Sequence, residues 1–290
     1  MKLASYRYEG RSYLGALIGE KLIDINAASE RLHGQPLAEN MIALLSDPAG
    51  LDKARESLAD NLEGLAIPLD KVKFDPPVTR PGKVIALGRN YAEHAREGGS
   101  EPPDFPMLFH KTHTSLLGHG GNIIIPPISD KIDYEAELAV IIGKTCKRVS
   151  EAEAMDYVAG YTVANDVSAR DWQRRTTQFT SGKMLDTFCP LGPYLVTKDE
   201  IAEVGNLRIQ THLNGQQMQD GNTKDMIFSI PFLISYISQI ATLEVGDVLL
   251  TGTPEGVGFA RKPPVWMKAG DEIAITIEGL GLLHNQLIQG

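Results

Sequence analysis

The chain has 290 residues, of which 42% are hydrophobic and 22% are charged, the composition of a globular protein with a sizeable core. Its formal net charge of -9 argues against a nucleic-acid partner and against binding to an anionic membrane surface. Cys146 and Cys189 are the two cysteines and lack CxxC or zinc-type spacing, and the first residues contain no apolar secretory segment. We therefore expect a cytoplasmic protein with reduced thiols.

A small N-terminal region is predicted for residues 1–71, followed by the main domain over residues 72–290. Weak alternation and glycine-containing turns predict a meander of strands over residues 2–26. Helical patterns follow over residues 38–45 and 51–62. Prolines after residue 75 mark the boundary between the two regions.

A short helix is predicted directly after a buried strand at residues 83–88. Asn90 has the position of the N-cap in a capping-box pattern, and Gly98-Gly99 ends the helix. His94 and Glu97 stand three residues apart and share a face, and a carboxylate beside an imidazole raises its basicity, as a general base requires. The glycines favour a hinged lid. The alternative is an ordinary surface His–Glu pair.

The apolar run from Ile132 to Gly143 is typical of a strand. Glu135 and Glu137 are two residues apart, so they point to the same face. Two neighbouring carboxylates on a half-buried face repel each other, which favours a divalent cation between them. The alternative is an exposed edge strand whose glutamates face water.

A second predicted strand ends on Asp166 and presents one more carboxylate at its tip. Arg170 and Gln173 follow on a predicted helical turn, where an arginine and an amide suit the binding of a substrate carboxylate. The alternative is a helix capped by Asp166 with a solvated basic face, and this is the interpretation for Arg174 and Arg175.

Two later segments add charge and backbone donors. Lys183 follows Gly182, which allows close approach of a ligand to a point charge. Residues 252–258 form a glycine-rich loop around Thr253 whose N–H groups and hydroxyl suit an anion, although no Gly-Lys-Ser/Thr follows it as in a P-loop.

The remaining C-terminal part is rich in strand patterns. Asn214-Gly215 predicts a hairpin turn. Residues 226–243 carry no charge, but their periodicity and polar residues favour a core helix beginning near Pro231 over a membrane span.

The order of these motifs resembles the fumarylacetoacetate hydrolase family over roughly residues 75–290. The resemblance rests on Gly88-Arg89-Asn90-Tyr91 with His94 and Glu97, Glu135-x-Glu137, Asn165 to Asp171, Lys183, and Gly252-Thr253-Pro254-x-Gly256-Val257-Gly258. The stretch from Asp186 to Pro193 is similar to the subgroup of 2,4-diketo-3-deoxy-fuconate hydrolases and acylpyruvase-like enzymes.

The resemblance implies an α+β, mainly β fold: a mixed β-sandwich or β-roll catalytic domain with a small N-terminal α+β region, in a homodimer. It also implies Mg2+ or Mn2+, with Ca2+ as a substitute in crystals. The implied metal ligands are Glu135, Glu137 and Asp166; the implied catalytic residues are His94, Glu97 and Lys183; the implied substrate-binding residues are Arg170, Gln173 and Thr253.

The reaction implied first is hydrolysis of a C–C bond in a 1,3-diketo acid of the acylpyruvate, fumarylpyruvate or diketo-deoxy sugar acid type. Water activated by His94 with Glu97 attacks the distal carbonyl, and the metal and Lys183 hold the pyruvate enolate. The alternative is an oxaloacetate decarboxylase or a 2-hydroxyhepta-2,4-diene-1,7-dioate isomerase or decarboxylase at the same site. A binding protein without turnover is disfavoured because it would not need both the dyad and Lys183.

One departure from the family pattern bears on the substrate. Fumarylacetoacetate hydrolases proper have a larger N-terminal domain and a fourth metal carboxylate shortly before the lid histidine. Residues 84–88 contain no carboxylate, so fumarylacetoacetate itself is not the expected substrate.

Overall fold

The computed structural model describes residues 1–59 and 62–290 of a mainly β protein. Its helices are α1 (Ile25–His33), α2 (Met41–Ser46), α3 (Gly50–Ala59), α4 (Ala92–Glu97), α5 (Glu151–Ala154), α6 (Arg170–Gln173) and α7 (Ile230–Ile240). None of the described helices is both long enough and apolar enough to cross a membrane.

The strands of the N-terminal half are β1 (Lys2–Tyr8), β2 (Arg11–Ile18), β3 (Lys21–Asp24), β4 (Ala66–Ile67), β5 (Lys73–Phe74), β6 (Val84–Gly88), β7 (Met107–Lys111), β8 (Leu116–Leu117), β9 (Asn122–Ile125), β10 (Ile132–Asp133) and β11 (Ala136–Ile142). Those of the C-terminal half are β12 (Val158–Asn165), β13 (Ser168–Ala169), β14 (Cys189–Thr197), β15 (Arg208–Leu213), β16 (Gln216–Asn222), β17 (Val248–Leu250), β18 (Glu272–Ile277) and β19 (Gly281–Gln289).

The larger sheet has the strand order β4-β3-β2-β1-β14-β12-β11-β17-β6-β7, with β5 beside β1 and β8 beside β14. A second sheet has the order β16-β15-β18-β19-β9, and β10 pairs with β13. The expected α+β, mainly β class is therefore confirmed. Because β1 pairs with β14, the predicted N-terminal region contributes strands to the same sheet as the main domain.

Strand β11 lies at the centre of the larger sheet and is buried along its whole length. Alternate side chains enter two separate cores: Leu138 and Val140 pack with the second sheet, whereas Ala139 and Ile141 pack with residues of the N-terminal region. The half-buried face expected for this strand is thus a fully buried one, because the N-terminal region covers the side on which Glu137 lies.

Local signals explain several elements. The Asn214-Gly215 turn joins β15 and β16 as predicted, and α7 begins after Ser229, whose side chain accepts a hydrogen bond from the N–H of Phe232. The expected helices over 38–45 and 51–62 correspond to α2 and α3, although residues 60 and 61 lie outside the described residues. Helix α1 was not predicted; it starts because the carboxylate of Asp24 caps its first turn.

Candidate active site

Three carboxylates meet where β11 and β12 run side by side. The antiparallel register places Ala136 opposite Asn165, so Glu135 and Glu137 flank one end of the pair and Asp166 extends the other strand. One oxygen of each carboxylate lies within 4.8 Å of the others, and all three residues are buried. The structure therefore brings together the three predicted metal ligands.

The two carboxylate oxygens of Glu137 differ in their hydrogen bonding. One oxygen, Oε2, accepts a hydrogen bond of 2.7 Å from the N–H of Gly252, but Oε1 is buried without a hydrogen-bond partner among the described residues. Burial, and then the charges of Asp166 and Glu135, raise the pKa of Glu137 well above its ordinary value. An oxygen-only set with an unpartnered acceptor fits Mg2+ or Mn2+.

Two buried lysines balance part of this negative charge. The Nζ of Lys183 lies 2.5 Å from Glu135 Oε2 and 2.7 Å from Asp166 Oδ2. Lys111, at the end of β7, lies 2.5 Å from the other oxygen of Asp166 and was missed by the sequence reasoning. Burial would raise the pKa of Glu135, but Arg170 and Lys183 outweigh it and hold that pKa below its usual range.

Arg170 is held in the site by three side chains. Its Nε donates to Asp133 Oδ2 at 2.8 Å and its Nη1 donates to Gln173 Oε1 at 2.9 Å. Its Nη2 lies 2.7 Å from Glu135 Oε1, within ion-pair distance but without the alignment of a hydrogen bond. Part of the guanidinium is therefore still available to a ligand.

Asp133 fixes Arg170 and a neighbouring loop at once. Its buried carboxylate also accepts hydrogen bonds from the N–H groups of Gly258 (2.7 Å) and Phe259 (3.1 Å). This arrangement requires the predicted strand over 132–143 to be interrupted, and β10 indeed ends at Asp133 while β11 starts at Ala136. Asp133 was not predicted as a site residue, because the run from Ile132 to Gly143 has the pattern of one continuous strand.

The predicted lid helix is present as α4 and lies against the Thr253 loop. His94 Nδ1 is 2.8 Å from Glu97 Oε1, and Glu97 Oε2 accepts a hydrogen bond of 2.9 Å from the N–H of Gly256. Because a carboxylate only accepts, the hydrogen of a neutral His94 lies on Nδ1 and leaves the lone pair on Nε2. That nitrogen is the one able to act as a base.

Asn90 is not the N-cap of this helix, contrary to the prediction. Its side chain instead donates to the carbonyl oxygens of Thr251 (2.8 Å) and Phe228 (3.1 Å) and accepts from the N–H of Phe228. Tyr91 has the N-cap position without a side-chain hydrogen bond. Buried tertiary partners outcompete the local cap, so Asn90 anchors the base of the lid to the core.

Gln219 determines the direction of the hydrogen bonds at Thr253. Its Oε1 accepts from the N–H of Ala136, which fixes the amide orientation, and its Nε2 donates to Thr253 Oγ1 and to the carbonyl of Pro254, each at 2.8 Å. Because Oγ1 accepts this bond, the hydroxyl hydrogen of Thr253 is free to be donated elsewhere. No pattern in the sequence pointed to Gln219, which lies on β16 of the second sheet.

These groups surround one cavity of about 190 Å³. The predicted residues on its wall are His94, Glu135, Glu137, Arg170, Gln173, Lys183 and Thr253, while Asp166 and Glu97 contact that wall from behind. Arg89 and Arg174 also line the cavity. Arg174, interpreted from the sequence as part of a solvated basic face, is indeed exposed, and it also borders this cavity.

Comparisons with known proteins show the family of this chain. The family model described as fumarylacetoacetate (FAA) hydrolase C-terminal matches residues 83–288. The chain is 46% identical over 273 residues to the mitochondrial oxaloacetate tautomerase FAHD2A of Bos taurus, covering 93% of this chain and 85% of that protein. It is 40% identical over 300 residues to the oxaloacetate tautomerase YisK of Bacillus subtilis, covering 99% and 100%.

A solved structure shows the same fold. The maleylpyruvate hydrolase from Sphingobium sp. SYK-6, in complex with manganese(II) and pyruvate, superposes with a TM-score of 0.82 at 33% identity and full coverage of both chains. The matched sequence range, the identities to curated relatives and the shared fold together show that this chain belongs to the fumarylacetoacetate hydrolase family and is an enzyme of it.

Proposed function

We propose that this chain is a metal-dependent tautomerase that interconverts the enol and keto forms of oxaloacetate or a closely similar 2-keto dicarboxylic acid. The observation that carries the proposal is the cavity of about 190 Å³ with His94, Arg170 and Lys183 on its wall. Pockets for drug-sized ligands measure roughly 300–1,000 Å³. A short acid therefore suits this cavity better than a sugar acid or an aromatic catabolite.

The relatives support the same choice. The proteins of Bos taurus and Bacillus subtilis are both named oxaloacetate tautomerases, and each aligns over most of this chain. The sequence motifs alone ranked C–C hydrolysis first, because they include a His–Glu dyad. The names of these relatives shift the ranking toward tautomerisation.

The chemistry of ketonisation needs few groups. A proton leaves the enol hydroxyl and a proton is added to C3, so no carbon–carbon bond breaks and no water is consumed. His94, with the lone pair on Nε2, would move a proton, and Lys183 and the Thr253 hydroxyl would stabilise negative charge on the oxygen at C2; all three line the cavity. Proton transfer of this kind contributes roughly 10²–10⁴-fold.

Glu135, Glu137 and Asp166 are the residues that would hold the metal. The bound ion would supply Lewis acidity toward the oxygen that becomes negative. Arg170 and Gln173 remain the groups proposed to bind the carboxylate next to the keto carbon, because both line the cavity and a guanidinium suits a carboxylate.

A second candidate is hydrolysis of a 1,3-diketo acid, favoured by the dyad of His94 and Glu97. Its 2.8 Å contact orients a base able to activate water. The two reactions differ in a simple respect: hydrolysis consumes water and releases pyruvate, whereas tautomerisation releases nothing.

The experiment compares both outcomes in one preparation. Freshly dissolved enol-oxaloacetate is mixed with Mg2+- or Mn2+-loaded enzyme, the enol is followed by ultraviolet absorbance, and pyruvate is measured with lactate dehydrogenase. A second reaction contains an acylpyruvate. We expect fast loss of the enol with little pyruvate from either substrate, and Glu137→Gln as the inactive control. Pyruvate release from the acylpyruvate at a higher kcat/KM than ketonisation would instead identify a hydrolase.

A further inference from the structure

Two arginines in the cavity differ from the third in having no acidic partner. Arg170 is paired with Asp133 and Glu135. Arg89 and Arg174 line the same cavity, but neither forms an ion pair with a carboxylate among the residues that the structure describes. Two unneutralised guanidinium groups facing one small cavity indicate an anionic ligand.

Aromatic rings hold both side chains without occupying their hydrogen-bond donors. The Cζ of Arg89 lies 5.9 Å from the ring centroid of Phe179, and the Cζ of Arg174 lies 4.6 Å from that of Phe259. The Phe259 ring also contacts Arg170, whose Cζ is 4.5 Å from its centroid. Cation–π contacts orient a guanidinium while its N–H groups stay free for a ligand.

The backbone conformation of Arg89 and the closeness of the arginine charges are both energetically unfavourable. Arg89 has a φ of 59°, in the left-handed region that a residue with a side chain rarely adopts. Partial burial and the positive charge of Arg170 lower the pKa of Arg174, the charge of Asp133 opposes this only in part, and Arg89 lowers the pKa further, so the three cations repel one another. Backbone strain and like charge that persist beside a cavity are typical of a binding site.

The charges deeper in the site leave one substrate charge unmatched. With a divalent cation bound, the four acids and three cations named below sum to a single positive charge when ionised, which one carboxylate of a 2-keto acid neutralises; Glu97, beside His94, adds only negative charge. A second carboxylate on the same ligand therefore needs a cation outside this set. The inner acids are Asp133, Glu135, Glu137 and Asp166, and the inner cations are Lys111, Lys183 and Arg170.

We propose that Arg89 and Arg174 form a receptor for the second, distal carboxylate of a short dicarboxylic 2-keto acid. The inference rests on the proposed function and narrows it: the triad and Lys183 take the 2-keto end, and the arginine pair takes the other end. These two arginines thereby select diacids over monoacids of the same length.

The test uses two stable acids that differ only at the distal end. Malate and 2-hydroxybutyrate share four carbons and a 2-hydroxy acid group, but malate has a carboxylate where 2-hydroxybutyrate has a methyl group. Their affinities for the Mg2+-loaded enzyme are measured by calorimetry for the wild type, Arg89→Gln, Arg174→Gln and Arg174→Lys. Arg175→Gln is the matched control, because Arg175 is exposed, stacks on Trp172 at 3.6 Å and does not line the cavity.

We expect the wild type to prefer malate. Each glutamine variant should bind malate roughly ten- to a hundredfold more weakly, the effect of losing a charge-assisted hydrogen bond, with unchanged affinity for 2-hydroxybutyrate. Arg174→Lys should recover part of the loss, and Arg175→Gln should change neither affinity. Equal affinities of the wild type for both acids, or equal losses for both in a variant, would overturn the receptor.

The result of the binding test can be distinguished from the result of the ketonisation test of the proposed function. A malate preference that depends on Arg89 and Arg174 supports the receptor even where enol-oxaloacetate is not ketonised, which would contradict the tautomerase. Fast ketonisation by an enzyme without a malate preference would refute the receptor and keep the tautomerase.

Discussion

The hydrogen bond from Gln219 to Thr253 allows a test that reverses its direction with almost no change of shape. In Gln219→Glu, the side chain can still accept from the N–H of Ala136, but an ionised carboxylate can no longer donate to Thr253 Oγ1 or to the carbonyl of Pro254. The Thr253 hydroxyl then donates to the introduced carboxylate, and its hydrogen turns away from the cavity. The variant thus removes a donor from the site without removing Thr253.

The expected magnitude follows from the role of that donor. Loss of one preorganised hydrogen bond to a developing oxyanion lowers kcat by roughly 10²–10³-fold. The unpaired carbonyl of Pro254 and the buried carboxylate should also lower the free energy of unfolding by about 1–3 kcal/mol. Ketonisation kinetics give the first quantity, and urea unfolding monitored by circular dichroism gives the second.

A double-mutant cycle with Thr253→Val decides whether Gln219 acts through Thr253. If it does, Thr253→Val should abolish the effect of the glutamate, and the double variant should be no slower than Thr253→Val alone. If Gln219→Glu lowers kcat by the same factor in the wild type and in Thr253→Val, Gln219 influences catalysis by another route, and its proposed action through Thr253 is refuted.

The other predictions concern the metal, the base and one histidine pair. Glu137→Gln should remove most bound Mg2+, measured by equilibrium dialysis; full occupancy would contradict the proposed ligand set. His94→Ala should lower the rate of enol-oxaloacetate ketonisation by roughly 10²–10⁴-fold, the range for a lost general base, and Lys183→Ala should lower it too because it removes charge stabilisation; an unchanged ketonisation rate in His94→Ala would argue against His94 as the proton-transfer group. Burial, and then the charge of His284, lower the pKa of His119. The contribution of His119 to the free energy of unfolding is therefore present above its unfolded pKa of about 6.5 and is lost as the pH falls below that value. His119→Gln should make the free energy of unfolding less dependent on pH in this range, and an unchanged pH dependence would exclude His119 as its source.

The features that could be predicted from the sequence depend on residues that are close together in the chain. Glu135 and Glu137 share a face because of strand geometry, and Asn214-Gly215 specifies its turn locally. The helix near Pro231 follows from periodicity over two or three turns. Family motifs added the order of the sites and the fold class, which the sheet topology confirms. The individual roles of the site residues stay predictions.

The features that the sequence did not predict depend on contacts between distant segments. Lys111 ends an ordinary strand, and only the fold places it against Asp166. Gln219 lies on the return strand of a hairpin in the second sheet and reaches the site across the interface between sheets. For Asp133 a signal was available in the sequence, because this acidic residue precedes Glu135 and Glu137 in the same strand-like run and a buried charge requires a partner.

The pairing of β11 with β12 also has a consequence for how the protein folds. These strands follow each other along the chain, so Glu135, Glu137 and Asp166 are assembled by the pairing of two consecutive strands. Lys111 and Lys183 reach the same point from segments outside that unit. Lys111 is 55 residues from Asp166 along the chain, so its contact closes a longer loop than the β11–β12 pairing does, whereas Lys183 is 17 residues from Asp166 and closes a shorter loop. Because three neighbouring carboxylates repel one another until a cation lies between them, the refolding rate should increase with the ionic strength of the buffer.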